Sequence, residues 1–218
     1  MDEPAGAAAT PAPNDQALLS ALVTEHFVLQ SAASSTISES GSRASIYLAA
    51  LSSGLVAIGF SSASPGLLAA LASTIFPTVF VLGCFTLVRL VDTSIANVVA
   101  LNRIETIRAY YATLSPEALR FFQADNSTGA GTLGVRYRAR SVLFTTSSMI
   151  AVVNAVLGGA GVAVLLAIST VFPVPISVAI GIIVGSAVLA LALWYQVRRF
   201  APLLAQAERS PTLGADGA

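Results

Sequence analysis

The chain has 218 residues, of which 55% are hydrophobic and only 10% are charged. Soluble domains carry about 25% charged residues, so this composition excludes an ordinary soluble protein. Its 11 basic and 11 acidic side chains give a net charge of zero, which offers no basic surface for nucleic acid. A single histidine and a single cysteine exclude the usual structural metal sites, and we predict no cofactor.

The N-terminal region is predicted to consist of two polar parts. Residues 1–13 are rich in alanine and proline, which indicates a disordered tail. Residues 14–43 predict a cytosolic amphipathic helix capped by Asn14 or Asp15, although hydroxyl side chains at residues 34–38 compete for backbone hydrogen bonds. Its partial apolar face consists of Leu18, Leu22, Phe27, Val28 and Leu29.

Residues 44–88 form the first long run without Asp, Glu, Lys or Arg. A charged side chain at the centre of a bilayer helix costs about 2.5–3.5 kcal/mol, so such a run indicates a membrane segment. The run is too long for one spanning helix of about 20 residues, and residues 61–66 in its middle are turn formers. We therefore predict a transmembrane hairpin with spans near residues 45–61 and 67–88.

Residues 89–140 predict a cytosolic segment of helices and a loop. Apolar residues continue at helical spacing from Val91, which extends the second span to about Tyr111. Ser115 followed by Pro116 is typical of a helix start, with serine as the cap and proline in the first turn. Three arginines before the next span are candidates for binding anionic lipid head groups, or serve only to fix the topology: Arg136, Arg138 and Arg140.

Residues 141–197 form a second charge-free run, interrupted by prolines within residues 172–175. They predict a second transmembrane hairpin with spans near residues 146–170 and 176–197. The remaining residues, 198–218, predict a short cytosolic helix and a tail.

All 11 basic residues are arginines, and every one of them lies outside the two charge-free runs. The positive-inside rule therefore places both termini and the central segment in the cytosol. The predicted fold is all-α: a polytopic protein of the cell (inner or plasma) membrane, with four transmembrane helices as two hairpins and with amphipathic cytosolic helices.

Small residues recur every four positions within the predicted spans, a pattern that permits close contact between helix backbones in lipid. We expect these rows to pack helices within the chain or between copies, although an alanine-rich composition also produces such rows by chance. The candidate packing residues are Ser45, Ala49, Ser53 and Ala57 in the first span, Ala155, Gly159 and Ala163 in the third, and Gly181 and Gly185 in the fourth.

Asn154 is the candidate polar residue inside the membrane. Such an asparagine either hydrogen-bonds a neighbouring helix or lines a pore. The sequence shows no cluster of acid–base or nucleophilic residues around it, so we predict no catalytic site and no enzyme.

The stretch from Glu25 to Phe60, which begins Glu-His-Phe-Val-Leu-Gln, resembles a group of uncharacterised four-span integral membrane proteins of high-GC bacteria. The resemblance covers residues 25–60. It implies a bacterial plasma-membrane setting and carries no activity, cofactor or site residue.

These features favour a non-enzymatic integral membrane scaffold or accessory subunit. A homo-oligomeric channel or membrane-permeabilising effector is the alternative, because several copies together can enclose a pore. The expected partners are the lipid bilayer and either further copies of the chain or another membrane protein.

Overall fold

The computed structural model describes residues 13–115, 117–122, 146–169 and 171–209. Within these residues every regular element is helical, which confirms the all-α prediction. Residues 1–12 of the tail predicted over residues 1–13 lie outside them, as do the three arginines at 136, 138 and 140, whereas Pro13 is already helical. The elements are α1 (Pro13–Phe60), a 3-10 turn (Ser61–Ala63), α2 (Pro65–Ala112), α3 (Ala118–Phe122), α4 (Thr146–Ile168) and α5 (Val174–Arg209).

Four of these helices, α1, α2, α4 and α5, are long and apolar enough to cross a membrane. The four predicted spans are residues 45–61, 67–88, 146–170 and 176–197. Their described residues fall within these helices, except for Ser61 in the 3-10 turn and Ser169 just after α4. The chain is therefore a multi-pass membrane protein by helix length and composition.

Helix α1 continues without a break through the predicted boundary between residues 43 and 44. Its 48 residues correspond to about 72 Å, more than twice the bilayer's hydrocarbon core. One of the hydroxyl groups at residues 34–38 that we expected to weaken it bonds within the helix: Thr36 Oγ1 donates to the Ala33 carbonyl. The polar arm is thus a direct extension of the first span.

The turn signals read from the sequence mark real helix ends. The 3-10 turn Ser61–Ala63 separates α1 from α2, which begins with Pro65 in its first turn. Helix α2 ends at Ala112, next to the predicted end at Tyr111. The Ala118 N–H donates to Ser115 Oγ at 3.0 Å, which confirms the predicted serine cap of α3.

The short C-terminal helix expected near residues 198–209 is not a separate element. Helix α5 runs continuously from Val174 to Arg209 and includes Pro202 in its last turns. Helix α5 therefore contains both the residues of the predicted span and the arginines that follow them. Proline usually kinks or breaks a helix, but Pro202 does not end this one.

The helices pack in the order α1, α2, α4, α5, with α2 and α4 in the middle of the row. Their main apolar core includes Tyr47, Phe76, Leu90, Ile150 and Leu157. A second core joins the arm of α1 to the extension of α2 and consists of Leu29, Ala33, Ala100 and Ile107. Leu18, Phe27 and Val28, assigned to the apolar face from the sequence, are exposed instead.

Helices α4 and α5 touch through their backbones at three glycines. A Cβ on Gly181 would lie 2.5 Å from the Gly159 carbonyl oxygen, and a Cβ on Gly185 would lie 3.0 Å from the Ala155 carbonyl oxygen. Only hydrogen fits at these positions, because a neighbouring backbone cannot move aside as a side chain can.

We expect Gly181→Ala to lower the free energy of unfolding by about 1–3 kcal/mol, the usual cost of overpacking. SDS titration of the protein in detergent micelles measures this change. Gly59→Ala is the matched control, since a Cβ on Gly59 meets nothing within 4 Å. Equal effects of the two substitutions would contradict the backbone contact.

Candidate functional site

Three side chains from three helices meet inside the predicted membrane region. The Tyr47 hydroxyl of α1 donates to Asn154 Oδ1 of α4 at 3.3 Å, and Asn154 Nδ2 donates to Cys84 Sγ of α2 at 3.4 Å. Tyr47 and Asn154 are 0% and 2% exposed. Of the two alternatives for Asn154, its contacts match the hydrogen bond to a neighbouring helix.

Gly83 makes room for this polar cluster. A Cβ on Gly83 would overlap the Asn154 carboxamide and come within 2.9 Å of the Tyr47 ring. The absent side chain lets two polar groups from other helices approach the α2 backbone. Sequence reasoning missed Gly83, because a lone glycine in an apolar span has no pattern around it.

A second polar cluster joins α4 to α5. The hydroxyls of Ser147 and Ser148 donate to Gln196 Oε1 at 3.2 and 3.0 Å. Gln196 is fully buried, and its Nε2 has no hydrogen-bond partner among the described residues. Sequence reasoning missed Gln196 as well, although a carboxamide one position before the end of a charge-free run is a visible signal.

Ion pairs lie next to these clusters, where the charge-free runs end. Glu39 Oε1 accepts from Arg43 Nε at 2.8 Å and from Arg89 Nε at 3.1 Å, which joins α1 to α2. Asp92 of α2 accepts from Arg199 of α5. The Arg43 and Arg89 guanidinium groups hold the pKa of the Glu39 carboxyl below its usual range, so this group stays ionised.

The candidate packing residues fall into two groups. Gly159, Gly181 and Gly185 form the α4–α5 contact, and Ala155 and Ala163 touch two of these glycines. The row on α1 faces the other way: Ser45, Ala49 and Ser53 are exposed, and Ala57 is only half-buried.

The face of α1 that meets α2 uses a different small residue. A Cβ on Gly54 would lie 2.7 Å from Ile75 of α2. The four-residue row therefore does not pack α1 within the chain, because the bulky Tyr47 and the small Gly54 select another face of the helix.

Chemically, these polar groups hold helices together. Each cluster pairs a carboxamide with hydroxyl or thiol groups of other helices, and such bonds in lipid contribute about 0.6 kcal/mol on average. In the part of the chain that the structure describes, no group of three or more His, Cys, Asp or Glu side chains is placed to hold a metal ion.

Comparison of the chain with protein-family models, with curated proteins and with solved structures gives no match.

The Tyr47–Asn154 bond can be measured with a double-mutant cycle. We expect Tyr47→Phe and Asn154→Leu to be coupled by about 0.5–1.5 kcal/mol in the free energy of unfolding, because each removes the same hydrogen bond. SDS titration gives the four values. A parallel cycle of Tyr47→Phe with Ser73→Ala is the control, because Ser73 bonds only to its own helix. Additive effects in the first cycle would contradict the bond.

Proposed function

We propose that this protein is a non-enzymatic integral membrane scaffold or accessory subunit that binds another membrane protein within the bilayer. The observation that carries the proposal is the pairing of the buried polar side chains across helices, at Tyr47, Asn154 and Gln196. Groups that bond one helix to the next stabilise the fold and are not free to act on a substrate.

The surface that supports this proposal is an open groove of about 520 Å³ between α4 and α5, called here the α4–α5 groove. Its lining is almost wholly apolar, and small residues form its floor. Small residues let a further helix approach closely, which is how transmembrane helices associate without a hydrophobic driving force. The groove is lined by residues including Val152, Val156, Ala160, Val178, Ile182 and Ser186.

The proposal also includes the membrane in which the protein lies and its orientation there. We place the protein in a bacterial plasma membrane with both termini in the cytosol, because all its arginines lie outside the charge-free runs. The resemblance over residues 25–60 supports the same setting.

We expect native mass spectrometry of the protein, gently extracted into nanodiscs, to show one copy bound to a second membrane protein. Ala160→Trp fills the groove, so it should abolish this complex. Ala190→Trp is the control, because Ala190 is exposed on α5 outside the groove. A bare monomer, or a complex that survives Ala160→Trp, would contradict a scaffold that uses this surface.

A homo-oligomeric channel or membrane-permeabilising effector is the second candidate, and one observation favours it. The exposed α1 row of Ser45, Ala49 and Ser53 lies on one end helix of the row, and the α4–α5 groove lies at the opposite end, between α5 and its neighbour α4. Surfaces at opposite ends associate head to tail, which builds rings or open chains of identical subunits.

The two surfaces also lie at the same depth. Gly54 of α1 meets Ile75 of α2, and Tyr47 of α1 meets Gly83 of α2, so α1 runs antiparallel to α2. Helix α4 does so as well, because Gly161 meets Phe76 and Gly158 meets Phe80. The Tyr47–Asn154 hydrogen bond sets the register between them. Ala49 is therefore level with Val156 in the groove, and a copy rotated about the membrane normal can present one to the other.

Cysteine cross-linking tests the head-to-tail contact in a Cys84→Ser background, which removes the single native thiol. We expect Ala49→Cys with Val156→Cys to give disulfide-linked oligomers on mild oxidation, because a disulfide needs Cα atoms within about 7 Å. Ala49→Cys with Val164→Cys is the control, displaced by about 12 Å along the groove. Equal yields from both pairs would contradict the register.

Ion flux through such an oligomer should not pass Asn154. The side chain is buried inside each subunit and bonded to Tyr47, so it does not face a path between subunits. We expect Asn154→Leu to change liposome flux only as far as it changes the amount of folded protein.

A further inference from the structure

Two arginines bound the first charge-free run, and the structure brings them to one carboxylate. Arg43 precedes residue 44 and Arg89 follows residue 88, at the two ends of 45 uncharged residues. Their Nε atoms lie 2.8 and 3.1 Å from the same oxygen, Glu39 Oε1. The three side chains are called here the Arg43–Arg89 clamp.

The clamp has more positive charge and more donors than Glu39 can use. Two guanidinium groups face one carboxylate, so a net positive charge remains. Each arginine donates to Glu39 only through Nε, and neither uses its terminal amino groups in another bond within the described residues. The arginine side chains are 45% and 54% exposed, so these amino groups can reach a second acceptor.

The position of the clamp indicates the chemical nature of the second acceptor that the arginine amino groups can reach. Charge-free helices enter the hydrocarbon beyond Arg43 and Arg89, so the clamp lies at the level of the lipid head groups. The anionic groups at this level are phosphates, and a pair of planar guanidinium groups suits their oxygens. We propose that the Arg43–Arg89 clamp binds the phosphate of an anionic phospholipid in the leaflet on the arginine-rich side.

The surface beside the clamp fits a hydroxylated head group. A groove runs along α1 from Glu39 away from the charge-free run, and the side chains that line it include Gln30, Ser31, Ser35 and Ser38. These residues offer hydroxyl and amide groups and no positive charge. They suit a glycerol head group better than a choline, whose cation the adjacent arginines repel. Phosphatidylglycerol is therefore the appropriate probe.

Substitution of Glu39 distinguishes lipid binding by the clamp from a purely structural role of its ion pairs. If the two ion pairs only stabilise the fold, removing any of the three charges lowers the stability, so all three substitutions act in the same direction. If the clamp binds phosphate, the signs differ. Glu39→Gln leaves both guanidinium charges uncompensated and strengthens binding, whereas Arg43→Gln or Arg89→Gln cancels the net charge and weakens it.

The experiment uses the full chain in nanodiscs that contain equal parts of phosphatidylcholine and phosphatidylglycerol. Native mass spectrometry measures the dissociation constant of the most tightly retained phosphatidylglycerol. We expect about fivefold weaker binding for Arg43→Gln and Arg89→Gln and about fivefold tighter binding for Glu39→Gln, from the usual contribution of one basic residue at the membrane surface.

Arg198→Gln is the matched control. Arg198 is also exposed near the end of a charge-free run, but its guanidinium lies over the Trp194 ring at 5.2 Å and has no second arginine in a clamp. We expect this substitution to change retention less than the clamp substitutions. Weaker binding for Glu39→Gln, unchanged binding for Arg43→Gln and Arg89→Gln, or equal retention of phosphatidylcholine would each overturn the proposal.

Discussion

Hydrocarbon offers no hydrogen-bond partner, and the arrangement of this protein depends on that constraint. A polar group inside the predicted spans costs free energy unless it finds a partner within the protein. Asn154 meets Tyr47 and Cys84, and Gln196 meets two serines. Each of these hydrogen bonds joins two different helices. The need to pair a buried polar group therefore also determines which helices are neighbours and in which register they pack.

The two halves of the membrane region use different interactions as a result. On the arginine-rich side, carboxamides, hydroxyls and ion pairs connect all four long helices. Toward the turns, contacts are made by aromatic rings over glycines, such as Phe80 against Gly158, and by the α4–α5 glycines. Polar bonds give register, while close backbone approach gives dispersion contacts along the remaining length.

The arrangement of the four helices in an open row leaves apolar helix faces exposed. With α2 and α4 in the middle, α1 and α5 each keep a broad apolar face, including Leu55, Val56, Ile183 and Leu191. Lipid covers such faces in a monomer, and another helix can replace it at little cost. The proposed scaffold and the proposed ring of copies both use surfaces of this kind.

The sequence by itself determined the helical class, the four membrane-spanning segments and the turn between α1 and α2, because charge and turn residues act locally. It did not determine which faces of the helices meet. The periodicity of small residues indicated that α1 packs through Ser45 and Ala49. In the structure Tyr47 and Gly54 make the contacts instead, because a row of small residues is only one of several helix faces that can fit a neighbouring helix. Only the tertiary structure brought Arg89 to Glu39 and paired Gln196 with α4. Such contacts join residues far apart along the chain, and no local pattern specifies them.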